Sequence, residues 1–404
     1  MKILVVTQYF WPENFRVNEL VRDLVARGHD ISVLTGIPNY PSGSTDPDFI
    51  RNPGNYDCYF GARVFRSPML ARGSGSFRLI LNYISFAICA SVYAFFRLFN
   101  HSYDVVFAYQ LSPVTLVLPA MLLSRIKRIP LVIWVQDLWP DTLISLNKVV
   151  NPLILSSLRL SVGWIYSQAS LLLVQSRSFA IKIAEYVTDP SLICYFPNWS
   201  EESSTSCEIY PAPEVPKDPG VFTILFAGNI GEAQDFPSIL DAAQTLKDNA
   251  NVRWIIVGSG RRKEWLQNEV ISRELSHCFL LLGCFPYERM PSFYKAADVL
   301  LISLAKTSTF SLTIPSKLQS YLISGIPLLG MLDGEGAQII LKAGAGFVCD
   351  AGDSSALVKL VRHFLSLSLK DRMLMGKKGR LYALNEFQKN SLLDKLENLL
   401  ASLV

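Results

Sequence analysis

A chain of 404 residues is longer than one hydrophobic core ordinarily serves, so two domains are expected. Half the residues are hydrophobic, 18% are charged and the net charge is only +4, too small to argue for a nucleic-acid partner. The seven cysteines (58, 89, 194, 207, 278, 284 and 349) occur singly, without a CxxC pair or a His/Cys cluster, which excludes a structural zinc and points to unpaired thiols in a reducing cytosol.

Residues 1–7 (MKILVVT) form a buried parallel-type strand rather than a signal peptide, since one Lys precedes ILVV and polar residues follow. The turn at residues 8–15 leads to an amphipathic helix through Leu24 that stops at Arg27-Gly28-His29, and residues 31–34 are the next strand. This βαβ opening lacks G-x-G-x-x-G, which counts against NAD and FAD enzymes. Glu13 falls at the carboxyl edge of the sheet, where open α/β sheets bind ligands, whereas His29 is read as structural. Asp46-Pro47-Asp48 has the form of a metal-binding D-x-D, but no strand leads into it and it is read as a loop coincidence.

Between Arg78 and Arg97 lie eighteen uncharged residues, LILNYISFAICASVYAFF, just long enough to be weighed as a membrane span. Asn82, Ser85, Cys89 and Tyr93 recur three or four apart, and Arg51, Arg63, Arg66, Arg72 and Arg78 come before them. That pattern favours a helix packed on its own domain with one face at lipid headgroups; a buried helix and a true span are the alternatives.

Residues 104–108 and 131–135 are strands, the second running into Gln136-Asp137-Leu138-Trp139-Pro140-Asp141, a carboxylate and a tryptophan at a strand end. A helix at 151–168, a strand at 170–175 and LICYFPNW at 192–199 close the first half. Residues 200–220, rich in Glu, Ser, Thr and Pro, are expected as a linker.

The second half opens with a strand at 222–226 and a small-residue loop, Ala227-Gly228-Asn229-Ile230-Gly231, whose backbone can approach a ligand closely. Strands at 254–257 and 279–282 follow, leading to Gly258-Ser259-Gly260-Arg261-Arg262-Lys263 and to Gly283-Cys284-Phe285-Pro286-Tyr287. After the strand VLLIS (299–303), Pro315 is placed to begin a helix. The orphan N–H groups at that helix start, the hydroxyl of Ser316 and the charge of Lys317 make a ready anion site. An ordinary βαβ unit with a surface lysine would read the same way. Gly325 ends the helix, residues 326–329 begin the next strand, and helices follow the last strand at 347–349.

Several of these stretches together resemble the retaining glycosyltransferases of GT-B architecture, in particular the bacterial branch that builds surface polysaccharides and includes the WbuB-type L-fucosamine transferases. The resemblance rests on PSK-x-QSY (residues 315–321), the small-Gly-x-Pro step (324–327), GNIG-x-AQ (228–234), YF-x-PE (9–13), TG-x-PNYP (35–41), WVQDLWP (134–140) and PNW (197–199). It implies an α/β fold of two facing Rossmann-like, doubly wound domains with a cleft between them: an acceptor domain at 1–199, a linker at 200–220 and a donor domain at 221–384. The last helix, about 385–404, would pack back on the first domain.

The implied activity is transfer of a sugar from a nucleotide diphosphate donor to a polyprenyl-diphosphate-linked saccharide. The enzyme would be retaining, need no metal or cofactor, and be cytoplasmic and peripheral on the inner face of the plasma membrane. UDP-N-acetyl-L-fucosamine is the donor the branch suggests, with a GDP-linked deoxysugar next. The implied site has Glu13 and Asp137 as catalytic residues. Asn14, Gly228, Asn229, Gly231, Arg261, Phe285, Ser316, Lys317, Gln319, Ser320 and Glu335 bind the donor.

Three departures from the wider family matter. Relatives that carry a His after the strand at 131–135 find no counterpart here, so Asp137 is the candidate to engage the acceptor hydroxyl, or else it holds its loop. The glycine loop at 228–231 has neither the Arg nor the Lys that grips the diphosphate elsewhere, which shifts that work to Lys317 and backbone amides. The two family glutamates align with Leu312 and Ser320, leaving the ribose to Ser320 or Gln319, with Glu335 near the sugar. Two rivals use the same features: a GT-B nucleotide-sugar epimerase without NAD, and a non-catalytic scaffold of a membrane assembly complex.

Overall fold

Strands whose residues are apolar on both faces must be covered on both faces, and the first strand sets the pattern. In β1 (Lys2–Val6) the side chains of Ile3, Leu4, Val5 and Val6 have no accessible surface. The computed structural model describes residues 1–73, 75–145, 151–200, 209–249 and 251–404. Cys207 and residues 201–208 of the expected linker lie outside these. The described chain divides into two units, Met1–Phe196 with Leu393–Val404, and Pro197–Leu392.

The first unit is built on β1, β2 (Asp30–Gly36), β3 (Cys58–Tyr59), β4 (Ala62–Ser67), β5 (Val105–Gln110), β6 (Leu131–Val135), β7 (Leu171–Val174) and β8 (Ile193–Tyr195). Their order in the sheet is β3-β4-β2-β1-β5-β6-β7-β8, parallel throughout except for the β3–β4 hairpin. The chain moves outward one way from β1 to β2 and the other way from β5, so β1 and β5 flank the switch point where such sheets bind ligands.

The second unit repeats the plan with β9 (Phe222–Ala227), β10 (Val252–Val257), β11 (Phe279–Gly283), β12 (Val299–Ser303), β13 (Leu328–Met331) and β14 (Gly346–Cys349). Its order is β11-β10-β9-β12-β13-β14, all parallel, with the switch between β9 and β12. Both units are thus doubly wound parallel sheets. The six cysteines among the described residues are free thiols.

Several elements differ from expectation. The β3–β4 hairpin was not foreseen, because residues 58–67 mix charged and aromatic side chains without clean alternation. The proline-rich stretch before β9 is not loose over its whole length. Ala212 and Val215 are buried in the core of the second unit, and Glu214 takes both terminal nitrogens of Arg289 at 3.0 and 2.8 Å. Asp46 caps the short helix Pro47–Arg51, its carboxylate accepting from the Asp48 and Phe49 amides. His29 bonds Glu397 at 2.7 Å within the first unit, and Arg27 joins Glu397 and Asp394 at 2.6 Å each.

The long apolar helix, Ser76–Leu98, is arranged inside out. Asn82, Phe86, Ala87, Ala90, Ala94 and Leu98 face inward, while Ile80, Ile84, Ile88, Val92 and Phe96 stand exposed, Phe96 at 74%. Small residues let the helix approach the sheet closely, and Asn82 is satisfied by Gln8 at 2.8 Å and the Leu70 carbonyl at 2.6 Å.

The helix Lys317–Ser324 is held in place by the helix Leu369–Glu386. A Cβ on Gly376 would lie 1.8 Å from the Gly325 carbonyl oxygen, so only glycine allows the two backbones to touch. Helix propensity favours Gly376→Ala by about 1 kcal/mol, whereas overpacking costs about 1–3 kcal/mol. Gly376→Ala is expected to destabilise the second unit in urea titration, while exposed Lys377→Ala leaves its midpoint nearly unchanged.

Candidate functional site

The loops that follow β9, β10, β12 and β13 meet at the carboxyl edge of the second sheet. Gly228 has φ 147°, and a Cβ there would sit 3.0 Å from the Lys317 ammonium. A Cβ on Gly258 would fall 1.9 Å from the Gly228 carbonyl oxygen. Side chains at either position would push the two turns apart or drive Lys317 away. Asn229 is exposed, but its amide lies over Gly231 and Gly260, 2.6 Å from where either Cβ would be. It closes the two turns against each other.

Lys317 is the electrostatic centre of this edge. Its Nζ has no accessible surface and no hydrogen-bond partner, and it stands 3.4 Å above the centroid of the Phe226 ring. Ring and ammonium attract, yet a face of π-electrons cannot replace water around a charge. Burial accordingly pulls the amine down to about 7 from 10.5. Ser316 precedes it as an exposed N-cap whose hydroxyl makes no cap bond, and the positive end of the helix dipole points the same way. Pro315 lies two positions before the first helical residue rather than in the first turn, packed against the Gly334–Lys342 helix so that a Cβ on Gly336 would be 3.1 Å from its ring. That contact brings the first turn carrying buried Glu335 next to the Ser316 turn.

Tyr321, which sequence reasoning missed, ties this helix to the sheet. Its hydroxyl accepts from the Ala227 N–H at 2.7 Å and donates to the Ala227 carbonyl at 3.1 Å, one residue before Gly228. Its signal was its place at the end of PSK-x-QSY, four residues after Lys317. Gln319 is fully buried with both amide atoms unpartnered, and Ser320 lies 3.4 Å from the Tyr287 hydroxyl. Tyr287 therefore joins the ribose-side candidates. Phe285 packs on Phe293, with centroids 4.6 Å apart and Arg289 over both rings. Arg261 is exposed, while its neighbour Arg262 is taken up by Trp265 at 4.3 Å.

Glu13, Asn14 and Asp137 belong to the first unit, after β1 and β6. One Glu13 oxygen accepts from the amides of Asn39 and Tyr40, both at 2.7 Å, so the carboxylate holds the 37–43 loop. Burial raises its pKa, and these amides pull it back down. Arg66 braces the same loop from below, bonding the Trp11 carbonyl and the Gly36 carbonyl. Asp137 accepts from the Ser112 amide at 3.0 Å and hydroxyl at 2.9 Å, and the Trp139 indole donates to that hydroxyl at 2.9 Å. Burial raises its pKa as well, against these two bonds. Asn14 is exposed beside Glu13.

Two family models cover most of the chain: a glycosyl transferase 4-like domain over residues 14–199 and glycosyl transferases group 1 over residues 212–382. Among curated proteins, WbjE of Pseudomonas aeruginosa, named as a glycosyltransferase, is 26% identical over 64% of this chain, and the match spans 65% of its own length. WcaI of Escherichia coli K12, named as a colanic acid biosynthesis glycosyl transferase, is 26% identical over 80% of this chain and 82% of its own. Among solved structures, Anabaena HepE in complex with UDP and glucose matches with a TM-score of 0.70 at 15% identity, covering 100% of both chains. The fold is GT-B. Both halves of the chain are thus similar, in order, to glycosyl transferase domains.

Proposed function

We propose that this protein is a retaining glycosyltransferase that moves a sugar, N-acetyl-L-fucosamine by the branch it resembles, from a UDP donor to a polyprenyl-diphosphate-linked oligosaccharide during surface polysaccharide synthesis. The observation that carries the reading is the enclosed, unpartnered ammonium of Lys317 beside a glycine loop and a helix start. Such a charge lacks a counter-ion, and a diphosphate supplies one. The HepE complex with UDP supports this class of donor, and the name of WcaI supports this class of product.

In the reaction, the bond between the sugar C1 and the β-phosphate oxygen breaks. The acceptor oxygen bonds to C1 on the same face and its proton passes to the departing phosphate. Lys317, the Ser316 hydroxyl and the amides of the 228–231 loop stabilise the growing negative charge. Glu13 keeps the 37–43 loop in position, and Asp137 orients the acceptor hydroxyl. No metal takes part. The exposed isoleucine and phenylalanine face of the helix Ser76–Leu98 supports a peripheral seat on the cytoplasmic leaflet.

Saturating UDP is expected to raise the melting temperature, since a ligand at a hundredfold excess over Kd contributes about 2.7 kcal/mol, with GDP giving less. Lys317→Met removes most of this shift yet makes the free protein more stable by about 1–3 kcal/mol, because it deletes a buried unsatisfied charge. No UDP shift in the wild type favours the scaffold; a shift with conversion of UDP-sugar but no acceptor favours the epimerase.

The sign of the pH dependence follows from the lowered pKa. In the free protein the buried charge costs stability below about pH 7, and the cost fades as pH rises towards 10.5. Diphosphate binding needs the charged form, so UDP affinity should fall by up to about tenfold per pH unit above neutrality and become flat in Lys317→Met. Turnover in excess EDTA should match the untreated rate. Co-sedimentation with anionic vesicles should drop several-fold when Ile80, Ile84 and Ile88 are changed together to Ser.

A further inference from the structure

At the same edge of the first unit as Glu13 and Asp137, one cation has no counter-charge. Among the described residues no carboxylate pairs with Arg72. Its guanidinium lies 5.4 Å from the centroid of the Tyr40 ring, and its charge is felt at the Tyr9 and Tyr83 hydroxyls, as is that of Asp137 at Tyr83. Tyr9 and Tyr40 are themselves in ring contact at 5.7 Å. The result is a half-buried arginine against the Tyr40 ring, with the Tyr9 and Tyr83 phenols in its field, which suits a doubly charged oxygen group better than a neutral one.

The loop carrying Arg72 is fixed at two points. The Arg72 amide donates to Asn39 at 3.1 Å, in the loop that Glu13 holds. Two residues earlier, the Leu70 amide donates to the Ser85 hydroxyl at 3.0 Å and the Leu70 carbonyl accepts from Asn82. The helix turn gripped in this way is the one that exposes Ile80 and Ile84. A positive charge and an apolar ridge are therefore tied to the same helix turn, the pattern of an amphiphile with a phosphate head and a hydrocarbon tail.

Building on the transferase reading above, we propose that Arg72, with Tyr9, Tyr40 and Tyr83, binds the diphosphate of the lipid-linked acceptor, whose hydrocarbon chain remains along the exposed face of the helix Ser76–Leu98. Arg72 is thus an acceptor-binding residue that presents the saccharide end towards Asp137. An anionic phospholipid headgroup carries similar chemistry. Headgroups, however, are met by outward cations such as the exposed Arg78 and Arg97, whereas Arg72 is drawn in between two loops.

The test uses the full-length protein and isothermal titration with farnesyl diphosphate, farnesol and inorganic pyrophosphate, with and without saturating UDP. Farnesyl diphosphate should bind at least tenfold tighter than farnesol, with UDP present or absent. Arg72→Gln should weaken farnesyl diphosphate at least tenfold while farnesol and UDP binding stay at wild-type values, and Arg72→Lys should restore part of the loss. An unchanged affinity in Arg72→Gln overturns the inference, as does displacement of farnesyl diphosphate by UDP. It is equally overturned if Arg72→Gln loses binding to phosphatidylglycerol vesicles free of isoprenoid, which makes the site a headgroup contact. A wild type that binds UDP but not farnesyl diphosphate refutes the Arg72 site alone. One that binds farnesyl diphosphate but not UDP refutes the donor reading and leaves Arg72 standing.

Discussion

An ammonium enclosed without a counter-charge organises the second unit. Lys317 is kept at the end of β9 by three contacts that each forbid substitution in a different way: the bare Cα of Gly228, the face of Phe226, and the Tyr321 hydroxyl bridging both polar groups of Ala227. The helix that carries Lys317 cannot slide, because Gly376 meets Gly325 backbone to backbone. The sheet, the glycine turns and the supporting helix together hold a positive charge in a place where water does not reach it. A protein that keeps such a charge gives up stability at that point, and anionic ligands regain it on binding.

The first unit uses its carboxylates differently. Glu13 and Asp137 are each held by backbone or hydroxyl donors before any substrate arrives. Glu13 shapes the loop that contains Asn39 and Tyr40, and Asn39 in turn receives the Arg72 amide. Asp137 is anchored through Ser112 to Trp139. Their burial raises both pKa values, and their hydrogen bonds oppose that rise, so the two effects leave carboxylates fixed in direction on a preformed surface.

The helix Ser76–Leu98 shows how packing can reverse a reading made from polarity. Its soft polar positions turn inward, where Asn82 reaches Gln8 and the Leu70 carbonyl, and its alanines allow a close approach to the rest of the unit. Apart from Phe86 and Leu98, the largest aliphatic and aromatic side chains, Ile80, Ile84, Ile88, Val92 and Phe96 among them, are left outside. A water-facing helix would carry them the other way round.

Much of the architecture was legible in the chain. Apolar runs such as ILVV and VLLIS could only be strands covered on both faces, and Gly325, with φ 74°, could only end its helix. Motif spacing likewise marked Lys317, the 228–231 loop, Glu13 and Asp137, because turns at strand ends need small residues and particular side chains. The β3–β4 hairpin, the packing of Ala212 and Val215, and the contacts of Tyr321, Tyr287 and Arg72 were not legible. Each depends on residues brought together from distant parts of the chain: Tyr321 meets Ala227, Arg72 meets Tyr40, and Glu214 meets Arg289. Sequence alone determines periodicity, turns and the chemical type of a side chain. Whether a lysine is solvated or enclosed, and which arginine lacks a carboxylate beside it, is decided only when tertiary packing removes water and fixes neighbours.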